Sequence, residues 1–199
     1  RVSKDKFRPS VEESLKKLKT DYVDLLLLHW PVEDFDLSEQ LEELQKVQKD
    51  GLTRLIGVSN YNVELMKKVV EDNNVDIATN QVEYHPFLSQ AEVLSYIRSQ
   101  NMFLTAYSPL ARGNVLENTT LREIGLKYDL NPAQVAILWE YQTDDVVTIP
   151  KSGKTEHAEN NLKAIEKKLS DEDMKKISGL QSPSGRLIDP EWAPEWDAA

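Results

Sequence analysis

Polar side chains that could take part in chemistry lie at the C-terminal ends of five mainly apolar runs of the sequence. They are His29 and Trp30; Ser59 and Asn60; Gln81, Glu83, Tyr84 and His85; Tyr107 and Ser108; and Lys151 and Ser152. In α/β proteins, whether barrels or open sheets, the carboxyl ends of parallel strands carry the functional site. We therefore expect the five groups to converge on one face, where an apolar strand of four leucines holds His29 rigidly.

The segment IPKSGKTEHAENN, residues 149–161, predicts a site for a phosphate group. A strand would deliver Lys151, Ser152 and Lys154 onto a helix that we expect Thr155 to cap. A helix N-terminus binds anions through its free N–H groups and its partial positive charge. The segment lacks GxGxxG and GxxxxGK[ST], so a nucleotide would be held in another way. An ordinary basic loop is the alternative.

The same residues also have purely structural interpretations. His29 could be a structural histidine after a core strand, with its hydrogen bonds satisfied within the fold, and Ser59 and Asn60 could cap a helix. Tyr107 could be a core residue with a hydrogen-bonded hydroxyl, and His85 could be a turn residue. The three histidines are far apart in the sequence, and no HExxH spacing occurs, so we predict no metal site. The joint pattern favours a functional site over any of these alternatives.

The elements that would position these residues alternate between strand-type runs and stretches of helical period. The strand-type runs are residues 25–30, 55–60, 78–84, 103–110 and 146–152. The predicted helix faces are Phe7, Val11, Leu15 and Leu18, and Leu37, Leu41, Leu44 and Val47. The predicted helix ends are a stop at Gly51, a capping box of Ser89 and Glu92, and caps at Asn131 and Ser170. This alternation predicts a parallel sheet covered by helices, with strands buried on both faces.

Composition excludes several classes of function. The 199 residues carry a formal net charge of −10, which argues against nucleic acid or an anionic membrane surface as a partner. The chain has no cysteine, so disulfides and thiolate chemistry are excluded. No apolar run approaches the roughly 20 residues of a membrane span, and no signal peptide opens the chain. We expect a cytoplasmic protein in which residues 1–199 form a single domain and residues 182–199 form its tail.

Six motifs together resemble the aldo-keto reductase family. They are DYVDLLLLHWP, GVSNY, NQVEYHP, AYSPLARG, NPAQVAILW and IPKS, and they occur in the family's order and spacing. The ending RLIDPEWAPEWD is similar to that of bacterial 2,5-diketo-D-gluconate (methylglyoxal) reductases. The resemblance implies a (β/α)8 TIM barrel, of which this chain contains five β/α units. It also implies reduction of small aldehydes and ketones, such as keto-sugar acids or 2-oxoaldehydes, by hydride transfer from NADPH.

The resemblance assigns a role to individual residues around the cofactor. His29 would be catalytic and orient the substrate carbonyl, and Trp30 and Trp192 would line the substrate pocket. Ser59, Asn60 and Gln81 would bind the nicotinamide carboxamide, and Tyr107 would stack on the nicotinamide ring. Ser108 and Leu110 would lie along the pyrophosphate; Lys151, Ser152, Lys154 and His157 would be at the 2′-phosphate end; and Asn161 would bind adenine.

Two departures from the family pattern matter. His157 occupies the position of the family's usual arginine, and an imidazole cannot supply a guanidinium fork. We therefore expect a weakened NADPH preference and some use of NADH.

The catalytic Asp, Tyr and Lys of the family cannot be assigned here, so we expect an incomplete sequence that is inactive alone. The alternative is a catalytically dead module that binds a nucleotide or docks to a partner. Family members of this type are often monomers, and we expect a monomer here.

Overall fold

Five parallel strands form one sheet, in which their spatial order is the same as their order in the sequence. A computed structural model of the chain describes residues 4–31 and 36–197. The strands are β1 (Val23–Leu28), β2 (Thr53–Ser59), β3 (Thr79–Glu83), β4 (Phe103–Tyr107) and β5 (Val146–Thr148). Each strand pairs in parallel with its sequence neighbour. The predicted parallel sheet is therefore confirmed, and each strand ends earlier than its apolar run suggests.

Helices connect successive strands and cover one face of the sheet. The helices are α1 (Lys4–Leu18), α2 (Leu37–Lys49), α3 (Val63–Lys67), α4 (Ala91–Ser99), α5 (Thr119–Tyr128), α6 (Pro132–Gln142), α7 (Thr155–Ala164) and α8 (Asp171–Ser178). A π-helical turn, Lys68–Asp72, continues α3, and short 3-10 segments cover Ala111–Glu117 and Pro183–Gly185. Long crossovers of this kind are what parallel strand pairing requires.

Most of the predicted helix ends are confirmed. Asn131 and Gln134 form a reciprocal capping box at α6, Ser170 caps α8, and Gly51 has the positive φ of 77° expected after a helix. The predicted capping box of Ser89 and Glu92 is wrong, because α4 begins after Gln90, which caps it with no side-chain hydrogen bond. Glu92 therefore lies in the first turn of α4 rather than at its third position.

The core lies between the sheet and the helices. Leu41, Leu44 and Val47 of α2 are buried as predicted, and Leu37 packs against the core from the side. Phe7, Val11 and Leu15 of α1 are also buried. Leu18 was expected on the same face, but it is 63% exposed because α1 ends there.

The opposite face of the sheet is only partly covered. Residues that are paired in register on neighbouring strands point to the same face of the sheet. The residues on the face opposite the helices include Ser59, Gln81, Thr105 and Val147. The Thr79 and Thr105 hydroxyls pair at 2.9 Å in a buried part of this face. Leu55 and Val147 are each 47% exposed. The prediction that strands are buried on both faces therefore holds at the centre of the sheet and fails near its edges.

Candidate functional site

Asn60 is the centre of a hydrogen-bond cluster at the carboxyl ends of four strands. Its φ of 64° turns the chain sharply out of β2, a conformation that Asn tolerates better than most residues. Its side-chain amide donates to the His29 carbonyl at 3.0 Å and to Ser59 Oγ at 3.1 Å. Its side-chain oxygen accepts from the Tyr107 hydroxyl at 2.8 Å. One side chain thus ties together the ends of β1, β2 and β4.

The backbone of Gln81 brings β3 into the same cluster. Its carbonyl accepts from the Asn60 N–H at 2.9 Å and from the Ser59 hydroxyl at 2.8 Å. The side chain of Gln81 is half-buried on the face opposite the helices. We call His29, Ser59, Asn60, Gln81 and Tyr107 the Asn60 cluster. All five were predicted to belong to one site, and the fold brings them together.

Asn60 and Ser59 do not cap the following helix, because Asn62 does so through a bond from the Leu65 N–H at 2.8 Å. The capping alternative for Ser59 and Asn60 is therefore wrong. Both side chains are almost completely buried and are committed to neighbouring strands instead. That arrangement fixes their positions before any ligand arrives.

Tyr107 presents a half-buried aromatic ring at the end of β4. Burial and the nearby Glu83 carboxylate raise the pKa of its hydroxyl. The phenol therefore stays neutral at physiological pH and acts as a hydrogen-bond donor to Asn60. A ring held by its hydroxyl at one end offers a fixed flat surface on which a planar ligand can stack.

A tight turn continues from Tyr107 towards a second group of predicted residues. Ser108 has a φ of 52°, and its carbonyl accepts from the Ala111 N–H at 2.8 Å. The Leu110 carbonyl accepts from the Gly113 N–H at 2.7 Å, and Gly113 has a φ of 99° that favours glycine. This turn leads the chain from the Asn60 cluster to a cleft beside β5.

The cleft beside β5, called the β5 cleft below, has a volume of about 440 Å³. Its lining is Leu110, Gly113, Leu116, Asn131, Ala133, Lys151, Ser152, Gly153, His157, Asn160 and Asn161. Five of these residues were predicted to bind the cofactor: Leu110, Lys151, Ser152, His157 and Asn161. An ammonium group, an imidazole and several amides therefore face one cavity, a donor set that suits phosphate and a heterocyclic base.

The N-terminus of α7 differs from the prediction in one detail. Thr155 is the first helical residue and not the cap; Lys154 occupies the cap position and makes no side-chain hydrogen bond to the helix. The Ser152 hydroxyl folds the preceding loop, since it accepts from the Lys154 N–H at 3.1 Å and donates to the Lys154 carbonyl at 2.7 Å. The first-turn N–H groups of α7 therefore have no side-chain cap competing with a ligand.

The predicted substrate residues lie at the other end of the site. His29 is exposed just after β1, and Trp30 is half-buried beside it. The Trp30 ring meets the Trp192 ring edge to face, with centroids 4.8 Å apart, and the Trp196 ring lies 6.1 Å away. Trp192 remains 63% exposed. The C-terminal segment is thus irregular and packs against Trp30, the neighbour of His29.

His85 was predicted to be a turn residue, and its pairing with Glu83 was not predicted. His85 and Glu83 are both completely buried, and His85 Nε2 lies 2.9 Å from Glu83 Oε1. Arg186, whose guanidinium lies 3.7 Å from the Trp196 ring centroid, was also missed. The available signal was the pair of ionisable residues two positions apart at the end of β3, since buried charged residues are rarely without a partner.

None of the helices within residues 4–31 and 36–197 is both long and apolar enough to cross a membrane. In the same ranges, no group of three His, Asp or Glu side chains could hold a metal ion. The expected absence of a metal site stays a prediction.

A parallel sheet with helical crossovers and a polar site at the carboxyl ends of its strands defines an α/β protein. Residues 1–182 match the model of the Aldo/keto reductase family. The chain therefore belongs to the aldo/keto reductase family, a family of oxidoreductases. This confirms the resemblance inferred from the six motifs, and it confirms the fold class of a partial (β/α)8 barrel.

Individual relatives support the same assignment. Methylglyoxal reductase DkgB of Escherichia coli O157:H7 is 42% identical over 200 residues, covering 98% of this chain and 74% of that protein. Glyoxal reductase of Bacillus subtilis (strain 168) is 41% identical over 169 residues, covering 85% of this chain and 60% of that protein. A crystal structure described as a 2,5-diketo-D-gluconic acid reductase B superposes with a TM-score of 0.94 at 42% identity, covering 98% of this chain and 69% of that one.

Proposed function

We propose that this chain carries the cofactor side and part of the substrate side of a reductase that converts small aldehydes and ketones into alcohols. The observation that carries the proposal is the Asn60 cluster, which fixes amide, hydroxyl and aromatic groups at the strand ends of a chain in this family. The names of the relatives favour 2-oxoaldehydes such as methylglyoxal and glyoxal, or a keto-sugar acid, as substrates.

The residues of the chain fit a nicotinamide nucleotide. The nucleotide would supply the hydride. Tyr107 would stack on the nicotinamide ring, and Ser59, Asn60 and Gln81 would fix its carboxamide, so that one face of the ring is directed at the substrate. The turn at Ser108 and Leu110 would follow the pyrophosphate. These roles explain why a single left-handed asparagine joins three strands.

The β5 cleft would take the adenosine phosphate end. Its observed donor set fits this role: Lys151, Ser152 and His157 face a cavity beside the uncapped N-terminus of α7, with Asn161 on the same wall. Lys154, exposed at the cap position, would add positive charge. Because His157 offers no planar fork of donors, we propose that the protein uses NADPH with weakened preference and also accepts NADH.

His29 would orient the substrate carbonyl, with Trp30 and Trp192 forming an apolar wall of the pocket. The proton that completes the alcohol must come from another group. The Tyr107 hydroxyl is committed to Asn60 and its pKa is raised, mainly by burial. The Tyr61 hydroxyl is buried among the described residues without a hydrogen-bond partner, and burial raises its pKa as well. We therefore place the proton donor outside the described residues.

The test measures coenzyme oxidation by the whole protein with methylglyoxal, glyoxal and a 2,5-diketo acid, each with NADPH and with NADH. We expect turnover with at least one substrate and both coenzymes. Absence of turnover, together with a rise in melting temperature on adding NADPH, would favour a nucleotide-binding module that lacks catalysis. An NADPH selectivity of several orders of magnitude would contradict the role assigned to His157. Monomeric state and cytoplasmic location are also proposals, which gel filtration and fractionation would test.

A further inference from the structure

Glu83 holds the start of the C-terminal segment against the end of β3. Its carboxylate is completely buried and accepts from the Leu187 N–H at 2.9 Å through Oε1 and from the Ile188 N–H at 2.9 Å through Oε2. We call residues 186–197 the C-terminal strap. Both oxygens of one side chain are thus bound to consecutive backbone amides of the strap, an arrangement that fixes its direction as well as its position.

His85 completes the coordination of this carboxylate. The Phe87 N–H donates to His85 Nδ1 at 3.2 Å, which leaves the ring proton on Nε2, and Nε2 lies 2.9 Å from Glu83 Oε1. Burial raises the pKa of Glu83, but the bonds from His85, Ile188 and Leu187 together outweigh burial and hold the pKa below the ordinary value of a glutamate. The carboxylate is therefore ionised at physiological pH and binds the strap as an anion.

A second contact fixes the far end of the strap at α3. The Asp197 carboxylate accepts from the Val63 N–H at 3.0 Å, and the Asn62 side-chain amide donates to the Glu195 carbonyl at 2.8 Å. Both contacts lie where α3 begins, directly after the Asn60 cluster. The strap is thus attached at one end to the last residue of β3 and at the other to the segment that follows β2.

Between its two attachments the strap folds around aromatic rings. The Arg186 guanidinium lies over the Trp196 ring, and Trp196 Nε1 donates to Asp189 at 2.8 Å. These contacts place Trp192 and Trp196 against Trp30, the residue that follows His29. Any displacement of the strap would therefore move the wall beside His29.

We propose that Glu83 is a positioning residue that sets the substrate pocket by holding the C-terminal strap, and thereby determines affinity for the carbonyl substrate and not for the coenzyme. The inference rests on the proposed reductase function. It assigns a role to a buried carboxylate on the strand that also carries Gln81. Because Glu83 pairs in register with Tyr107, the strap and the nicotinamide site share one rigid support.

Glu83→Gln is the direct test, because it keeps the size of the side chain and removes its charge. A glutamine amide would direct N–H groups at His85 Nε2–H or at a strap amide, so one donor must lose its acceptor. In the whole protein we expect amide hydrogen exchange at Leu187 and Ile188 to accelerate by about tenfold or more. We expect KM for methylglyoxal to rise by about tenfold, with the Kd for NADPH changed by less than about twofold.

Asp173→Asn is the matched control, because Asp173 is also a buried, hydrogen-bonded carboxylate. It binds Lys127 at 2.6 Å and the Tyr128 hydroxyl at 2.8 Å, both on α5 and not on the strap. We expect this variant to lose stability without changing strap exchange or KM. If Glu83→Gln fails to fold, Asp197→Asn carries the test, with a smaller change in the same direction.

Unchanged exchange at Leu187 and Ile188 in Glu83→Gln would overturn the proposal. Equal changes in KM and in the Kd for NADPH would also overturn it, since they would indicate a general structural role. If the unsubstituted protein reduces no carbonyl compound, the proposed function fails. The exchange measurement still decides whether Glu83 holds the strap.

Discussion

The Asn60 cluster and the β5 cleft are built in different ways. In the cluster, Ser59 and Asn60 are almost completely buried, and their hydrogen bonds join neighbouring strands. In the cleft, Lys151 and His157 are exposed, and the Ser152 hydroxyl bonds only within its own loop. The first region is organised by the sheet, whereas the second depends on a loop and a helix N-terminus.

This difference predicts where substitutions should reduce stability as well as ligand binding. A change in the Asn60 cluster leaves donors and acceptors of several strands without partners, so it should affect stability and ligand binding together. A change at the exposed cleft residues leaves no buried group unpaired and should affect only the ligand.

Asn60→Ala should produce the largest loss. It removes the contacts to His29, Ser59 and Tyr107 and places alanine at a φ of 64°, so we expect a drop of about 2–4 kcal/mol in the free energy of unfolding. Urea unfolding measures the stability, and fluorescence titration with NADPH should show binding weakened about 100-fold.

Asn60→Gly is the matched control, because glycine adopts positive φ without strain. We expect it to recover part of the stability but none of the lost affinity for NADPH. If alanine and glycine variants both bind NADPH like the unsubstituted protein, the cluster has only a structural role, and the contrast between the two regions disappears.

Glu140 lies on α6, the helix behind the β5 cleft, and its buried carboxyl group allows the stability of that helix to be compared with the Asn60 cluster. Its carboxyl group is completely buried, and neither oxygen makes a well-formed hydrogen bond within the described part of the chain, although the nearby Thr148 hydroxyl offsets part of the effect of burial. Burial therefore raises its pKa well above the ordinary value of a glutamate. Between that ordinary value and the raised pKa, the folded state binds more protons than the unfolded state, so Glu140 lowers stability as pH increases.

Glu140→Gln removes this titration while keeping the shape of the side chain. We expect urea unfolding at pH 8 to show the variant more stable by about 1–3 kcal/mol, since no charge has to be buried. The advantage should shrink near pH 5, where the acid is neutral in the folded state. A variant less stable than the parent at pH 8 would show that Glu140 has a partner, and α6 would then resemble the hydrogen-bonded cluster.

The sequence alone predicted the strand-end groups because apolar runs, helical period and turn residues are local signals. His29 follows β1, whereas Ser59, Gln81 and Tyr107 lie at or near the carboxyl ends of β2, β3 and β4, and parallel pairing brings such residues to one edge. The cap at Asn131 was equally local, since the N–H that its side chain accepts from lies three residues away. These parts of the fold needed no knowledge of distant contacts.

The parts that were missed depend on contacts far apart in the chain. Glu83 binds backbone groups 104 and 105 residues away, and no local pattern marks that pairing. The capping box at Ser89 failed because the chain enters α4 one residue later than its spacing suggests. The exposure of Leu18 depends on where α1 ends, and periodicity places that end poorly.

His157→Arg should improve the β5 cleft and leave the Asn60 cluster unchanged. An arginine at the cleft wall would offer a planar fork to a 2′-phosphate, so we expect NADPH to bind about tenfold more tightly while NADH affinity stays the same. Paired titrations with the two coenzymes measure the difference. Equal tightening of both would place His157 near a group that the coenzymes share, and the 2′-phosphate assignment would fail.

Lys151→Met should have the smallest effect. Lys151 is an exposed cation at the cleft wall, so its attraction for a phosphate is screened by salt. We expect NADPH binding to weaken about threefold to tenfold at low salt and less at high salt, with no change in unfolding. Lys168→Met, which removes an exposed lysine that is not part of the cleft lining, controls for net charge. Loss of stability in the Lys151 variant would contradict the view that the cleft is separable from the sheet.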